Sequence, residues 1–307
     1  MFDPCWQIYN HLVILMPRIA AVIVAFDRDN LLERAIQSVK EQSQNIDLII
    51  VVDNAGLEST QRLVESFGGM YVLGDKIFGS AGGFSLGLQT AFNLNFDWFW
   101  LLDDDGTPDT DCLHKLLTIG EGGVAQILSP LSVSVEQPHL TANIFYLGFR
   151  RVDSVHVIRK KKIRFGKVQF YNGVLLKRDV LAKIGYPKTI LFMRGDEIDY
   201  YRRCKKHFRL ALVTEALFFH PSSSPEYTIN RRRFLSANVP SDPKKKYYQF
   251  RNRGYLIREY KLPLHLIFDV FRYSITFLVF RKLDWSGLIE WFKLMRMGLK
   301  KDLRPFT

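Results

Sequence analysis

From Ile19 onward, short wholly apolar runs alternate with stretches in which apolar residues recur every three or four positions. Ile19–Ala25 is β-branched and alanine-rich, the pattern of a strand buried on both faces. Leu31, Leu32, Ala35, Ile36 and Val39 then share one side of a helix. Leu48–Val52 predicts a second strand, Ser59–Phe67 a second helix and Met70–Leu73 a third strand. Phe84–Phe92 reads as a helix, and Trp98–Leu102 is the most aromatic strand in the chain. This alternation predicts an α/β protein with a doubly wound, mostly parallel sheet. Right-handed crossovers bring the strand ends Phe26–Arg28 and Asp53–Asn54 to one edge. Beyond Ser132 the pattern fades until Val168–Leu176, a strand-like run with Asn172-Gly173 in its middle, which predicts a bulge or a close backbone approach. Arg178–Ile184 predicts a short helix closed by Gly185 and Pro187, and the apolar runs Leu210–Val213 and Ala216–Phe219 lead to His220.

The chemistry begins where Trp98–Leu102 stops, at Asp103-Asp104-Asp105-Gly106. A strand could bury three carboxylates only at several kcal/mol each, so they emerge at its C-terminal end, where open α/β sheets bind ligands. Carboxylates this crowded repel one another unless a cation lies among them. Hard, oxygen-seeking ions such as Mg²⁺ or Mn²⁺ fit, and they bring phosphates with them. The plain alternative is an acidic turn before a helix capped by Thr107, Asp109 or Thr110. Asp53 ends a strand where base or ribose hydrogen bonds are made, or is an ordinary turn aspartate. Gly79-Ser80-Ala81-Gly82-Gly83 leads into a helix whose N-terminus favours phosphate, although its spacing is neither GxGxxG nor a Walker loop. Asp196-Glu197, at the start of another helix, supplies either a general base or first-turn acids favoured by the helix dipole.

Composition narrows the setting. At 307 residues, 47% hydrophobic and 24% charged, the chain has the make-up of a globular protein able to bury a full core. A net charge of +12 seeks anions: nucleic acid, acidic lipid or a phosphorylated substrate. No nucleic-acid motif is visible, which leaves nucleic acid outside the expected partners. Cys5, Cys112 and Cys204 are few and scattered, fitting a reducing compartment rather than a disulfide framework. Met1–Met16 lacks the basic start and cleavage site of a signal peptide. Arg159-Lys160-Lys161-Lys162 is a solvated basic face or a ligand contact. Past Pro263, aromatic residues alternate with Arg272, Arg281, Lys282, Lys293, Arg296, Lys300 and Lys301, a pattern suited to an anionic membrane surface or to packing on the main domain. The longest apolar stretch there, Leu264–Phe280, is interrupted by Asp269 and Arg272 and predicts no spanning segment.

Four elements in fixed order carry a resemblance: the strand ending in Asp27-Arg28, the Gly79–Gly83 segment, the Asp103-Asp104-Asp105 triplet, and Asp196-Glu197-Ile198-Asp199 followed by His220. Over Ile19 to Arg253 they resemble the inverting GT-A glycosyltransferases of glycosyltransferase family two, in its bacterial rhamnosyl- and galactofuranosyltransferase branch. The resemblance implies a GT-A catalytic domain over 19–240, with a nucleotide-binding half at 19–130 and an acceptor half at 131–240. It leaves 1–18 as an extension and 241–307 as a C-terminal helical appendage. It implies a UDP- or dTDP-linked sugar donor held by Phe26, Asp27, Arg28, Asp53, Gly79, Gly82, Gly83, Asp103 and Asp104, with Arg251 on the diphosphate. Asp105, Asp103 and His220 would hold Mn²⁺ or Mg²⁺. The base falls on the second acidic position, here Glu197; because the family usually has Asp there, the role stays open between Glu197 and Asp196. The implied activity is transfer of galactofuranose or rhamnose to a saccharide hydroxyl, the acceptor being a lipid-linked chain for a cell-surface polysaccharide. The implied location is the cytoplasm, on the inner face of the membrane. A nucleotidyltransferase acting on sugar phosphates is the nearest rival, but it would place its glycines directly after the first strand, where this chain has Phe26-Asp27-Arg28.

Overall fold

The computed structural model describes residues 17–76, 78–147, 150–222 and 237–306, so the expectations for Met1–Met16 and Cys5 lie outside the described residues. In chain order the first half gives β1 (Ile19–Ala25), α1 (Asp29–Lys40), β2 (Leu48–Asp53), α2 (Glu58–Ser66), β3 (Met70–Leu73), α3 (Gly79–Asn93) and β4 (Trp98–Asp103). There follow β5 (Thr107–Pro108), α4 (Cys112–Glu121), β6 (Ile127–Ser134), β7 (Leu140–Leu147), β8 (Arg150–Ser154), α5 (Val155–Arg159) and β9 (Ile163–Phe165). The remainder is β10 (Asn172–Lys177), α6 (Arg178–Ile184), α7 (Asp196–Lys205), β11 (Leu210–His220), α8 (Pro243–Glu259), α9 (Pro263–Ile275) and α10 (Trp285–Leu299).

The sheet runs β3-β2-β1-β4-β10-β6-β11-β5. Its first four strands are parallel, and the register sets Ala25 beside Asp53 and Val24 beside Asp103. Three strand ends therefore finish along one edge, as the alternation predicts. β10 lies antiparallel between β4 and β6. Along β4, Trp98, Trp100 and Leu102 pack with α1 and α4 on one face, whereas Phe99 and Leu101 pack with α3, α6 and α7 on the other. Helices on both faces are why this strand is apolar at every position.

Three boundaries differ from the sequence expectation. The helix after β3 begins at Gly79, five residues earlier than Phe84, so the glycines lie inside its first turns. The two apolar runs after residue 210 form one eleven-residue strand, with a register shift between Val213 and Leu217. β10 starts at Asn172, and the expected bulge is present between Asn172 and Val174.

The C-terminal helices enclose a core of their own, in which Trp291 stacks on Tyr273 with ring centroids 4.8 Å apart. α8 and α10 meet backbone to backbone. A Cβ on Gly298 would sit 1.8 Å from the Arg251 carbonyl oxygen, and one on Gly254 would sit 2.2 Å from that of Met295. α9 and the π turn after it, Pro263–Phe280, are long and apolar enough to cross a membrane by length and composition. Only 22% of that stretch is buried: Asp269 pairs with Arg253 of α8 at 2.5 Å, and Tyr273, Thr276 and Phe277 are buried beside it.

Candidate active site

At the exit of β4 the three aspartates take different positions. Asp104 is buried; its carboxylate accepts from the Phe26 backbone N–H at 3.2 Å and pairs with the Arg28 guanidinium. Arg28 also donates to Asp105 at 2.8 Å, which ties the loop after β1 to the triplet. Burial weakens the Arg28 charge, but Asp104 and Asp105 outweigh it and hold the pKa above its ordinary value. Burial pushes the Asp104 carboxyl up to about 6 in spite of Arg28.

β11 delivers His220 to the same place. Asp103, Asp105 and His220 each offer a ligand atom, all within 4.8 Å of one another. His220 Nε2 lies 3.2 Å from Asp105 Oδ1, while Nδ1 is 2.7 Å from the Pro221 carbonyl oxygen. With Nδ1–H donating to that carbonyl, Nε2 is left as the coordinating atom. Burial and the two neighbouring carboxylates raise the Asp103 pKa well above the usual range. Burial also pushes Asp105 up, but His220 and Arg28 outweigh it and bring its carboxyl down to about 2. In the same way burial would lower His220, yet Asp105 and Asp103 keep it above its ordinary value. The cluster stabilises positive charge at its centre. Two carboxylate oxygens and one imidazole suit a hard or borderline divalent cation, so the residues present fit Mn²⁺ or Mg²⁺.

The acidic pair stands across a cleft of about 680 Å³ that is also lined by Asp103 and His220. Asp196 is buried; its Oδ2 accepts from Ser80 at 3.1 Å, and its Oδ1 is buried without a hydrogen-bond partner. Burial, and then Glu197, raise its pKa well above the carboxylate range. Glu197 is partly exposed to the cleft and is held by the Gly195 backbone N–H at 2.9 Å. The two members of the pair thus differ: Asp196 is enclosed, Glu197 reachable.

Several residues expected at the donor make contacts within the scaffold. Asp53 is fully buried and accepts from the N–H groups of Ala55 and Leu57 and from the Tyr71 hydroxyl, so it shapes the turn into α2. Gly82 and Gly83 are buried for close packing: a Cβ on Gly83 would meet Val24 at 2.5 Å, and one on Gly82 would meet Phe78 at 2.3 Å. Gly79 abuts the Phe192 carbonyl, which also accepts the Ala81 N–H at 3.0 Å, so that helix start is already capped by protein. Arg251 is fully buried and donates to the carbonyls of Ile190, Leu303 and Arg304 and to the Asn252 side chain, far from serving a diphosphate. Asp104 holds the Arg28 loop. Phe26 is half-exposed, and Asp27 and Arg28 beside it in the loop after β1 are exposed as well.

The cleft also has walls that the sequence reading did not assign. Gln169, Tyr171 and Asn172 each bury a polar atom without a partner there. Tyr171 holds φ at +70°, a conformation unusual for an aromatic residue, and stacks on Phe84 at 3.9 Å. Its carbonyl accepts the Asp103 N–H at 2.8 Å. The Asn172-Gly173 bulge was the one signal in the sequence pointing to this wall.

Comparison with known proteins agrees with this geometry. The profile of glycosyl transferase family 2 matches residues 20–143. Among solved structures, Staphylococcus aureus TarS 1–349 in complex with UDP-GlcNAc aligns with a TM-score of 0.58 at 11% identity, covering 93% of this chain and 82% of that one. A mannosyltransferase of Pyrobaculum calidifontis, in complex with GDP-Man and Mn²⁺, aligns with a TM-score of 0.52 at 13% identity, covering 94% and 76%. Fold and family together define a glycosyltransferase of the GT-A fold. Galactofuranosyltransferase GlfT1 of Mycobacterium tuberculosis is 31% identical over 290 residues, 92% of this chain and 95% of that protein. Its Mycolicibacterium smegmatis counterpart is 31% identical over 293 residues, 92% and 97%. The chain belongs to glycosyl transferase family 2 and is related to galactofuranosyltransferase GlfT1.

Proposed function

We propose that this protein is a metal-dependent, inverting galactofuranosyltransferase that uses a UDP-linked donor and builds a bacterial cell-surface polysaccharide. The observation that carries the reading is the nearly full-length similarity to GlfT1, joined to two separate carboxylate groups facing one cleft. Asp103, Asp105 and His220 would hold the divalent cation, which would supply charge neutralisation for the departing nucleoside diphosphate. Phe26, Asp27 and Arg28 border the nucleoside. Glu197 takes the proton of the acceptor hydroxyl as that oxygen attacks the anomeric carbon, and Asp196, held by Ser80, hydrogen-bonds the acceptor or donor sugar. A single in-line displacement inverts the configuration. The test is release of the free nucleoside diphosphate with Mn²⁺, UDP from UDP-galactofuranose against dTDP from dTDP-rhamnose. We expect turnover at least tenfold faster with the galactofuranose donor; a preference for dTDP-rhamnose overturns the donor assignment.

The same reading includes a lipid-linked acceptor and reversible docking on the anionic inner face of the membrane from the cytoplasm. Support comes from one exposed apolar side of the C-terminal helices. Leu264, Ile267, Phe268 and Phe271 recur at helical spacing along α9, and Trp285, Ile289 and Phe292 do so along α10, with exposed Lys293 and Arg296 close by. Tyr273, Phe277 and Trp291, also among the aromatic residues past Pro263, are core residues. Each basic side chain near an anionic surface contributes about 1 kcal/mol. Co-sedimentation with liposomes should rise with anionic lipid, fall in high salt, and drop several-fold in Phe268→Asp/Phe271→Asp. Equal indifference of both proteins to lipid charge would sink the docking reading.

A further inference from the structure

The turn that feeds α7 is an unusual piece of backbone. After the short 3₁₀ segment Thr189–Leu191, Phe192 has φ +64°, Arg194 +60° and Gly195 +114°. Two of these are non-glycine residues in the left-handed region, a conformation that persists only where the surroundings impose it. The turn matters because its last amide, Gly195 N–H, is the group that holds the Glu197 carboxylate.

What imposes the conformation comes from 60 residues further along the chain. The Asn252 side-chain amide lies 2.8 Å from the carbonyl oxygens of Leu191 and Met193 and 3.0 Å from that of Arg194, its two hydrogens shared among three acceptors. Its Oδ1 accepts from Arg251 Nη2 at 2.7 Å and Nε at 3.0 Å, which fixes the amide's orientation. The remaining Arg251 hydrogens reach the Ile190 carbonyl at 3.0 Å and, on the other side, those of Leu303 and Arg304 at 3.0 and 2.7 Å. Both side chains are fully buried. Serine, with a single hydroxyl hydrogen on a shorter side chain, cannot serve three carbonyls at once.

We infer that Asn252, oriented by Arg251 and through it by the chain near Leu303-Arg304, is a positioning residue that sets the 190–195 turn and thereby aims Glu197 at the acceptor. This deepens the assignment of Glu197 as base and rests on it. The C-terminal helices are then part of the reaction's geometry, because α8 carries the clamp and the segment after α10 closes it.

The experiment is a double-mutant cycle on the full chain with Mn²⁺ and the preferred donor. Asn252→Ser is expected to lower kcat 10- to 100-fold, while donor KM and the UDP dissociation constant stay within threefold of wild type. In a Glu197→Gln background the same substitution should cause no further loss, since it acts through the group already removed. An equal fold-loss in both backgrounds, or an unchanged kcat in folded Asn252→Ser, overturns the inference. Because the amide is buried, a chain ending at Asp302 provides a second arm that leaves Asn252 in place. It removes two of the acceptors that orient Arg251 and should lower kcat several-fold with the same non-additivity; unchanged kcat overturns the proposed link to the chain end. Full activity of Glu197→Gln alone would instead refute the base assignment, and the cycle run on Asp196→Asn then tests the clamp separately.

Discussion

Asp105→Ala is expected to abolish turnover and the metal-dependent part of nucleotide binding while the protein remains folded. Asp105 is the member of the triplet nearest to His220 and also takes one arm of Arg28, so its loss removes a ligand and loosens the loop after β1. Charge stabilisation by a bound cation is worth several kcal/mol in such transfers, which corresponds to a rate loss on the order of 10³-fold or more. The stability cost is smaller and has a definite sign. Although burial opposes it, His220 and Arg28 depress the Asp105 carboxyl from 3.8 to about 2. That carboxylate therefore contributes stability above about pH 4, lost as the pH falls toward 2, on the order of 1–2 kcal/mol. Against a total of roughly 5–15 kcal/mol, the variant stays native at neutral pH. Circular dichroism and thermal melting check the fold, and isothermal titration of UDP with and without Mn²⁺ checks the site. Wild-type turnover that persists in excess EDTA would count decisively against it.

Glu197→Gln should lower kcat by about 10²-fold or more with donor binding nearly unchanged. The amide keeps the size of the side chain and can still accept the Gly195 N–H, but it cannot take a proton. Asp196 is the less accessible of the two: it is enclosed and bonded to Ser80, and burial and Glu197 raise its pKa. An active Glu197→Gln beside a dead Asp196→Asn would exchange the two roles.

Much of this architecture is legible in the chain because hydrophobic spacing reports it directly. The apolar strands from Ile19, Leu48 and Trp98 and the helix around Leu32, Ala35 and Ile36 lie where their periodicity puts them. The triplet and His220, more than a hundred residues apart, meet as the ordered motifs imply. What spacing cannot reveal is which polar group faces inward. Asp53 carries the same signal whether it meets a nucleoside or the amides of its own turn, and only its neighbours decide. Gly82 and Gly83 look alike whether a phosphate or the side chains of Phe78 and Val24 press on them. Arg251 illustrates the limit most clearly, since a buried guanidinium satisfied by carbonyl oxygens leaves no trace in local sequence. The Asn172-Gly173 bulge is legible, but its place in the cleft wall and the positive φ of Tyr171 are not, because a bulged strand breaks the alternation on which such reading depends.

The backbone contact between α8 and α10 bears on how chimaeras of this enzyme with its relatives should be cut. A crossover just before Pro243 would look natural, since the helical region has its own core. Such a joint would graft a foreign helix onto a turn whose carbonyls await Asn252, and it would part Arg251 from Ile190. Moving the joint to the middle of α8 would set a new side-chain surface against Gly254 and Gly298, where no added atom fits. The smallest heritable block is therefore the pair of segments 190–199 and 243–304, exchanged together or not at all.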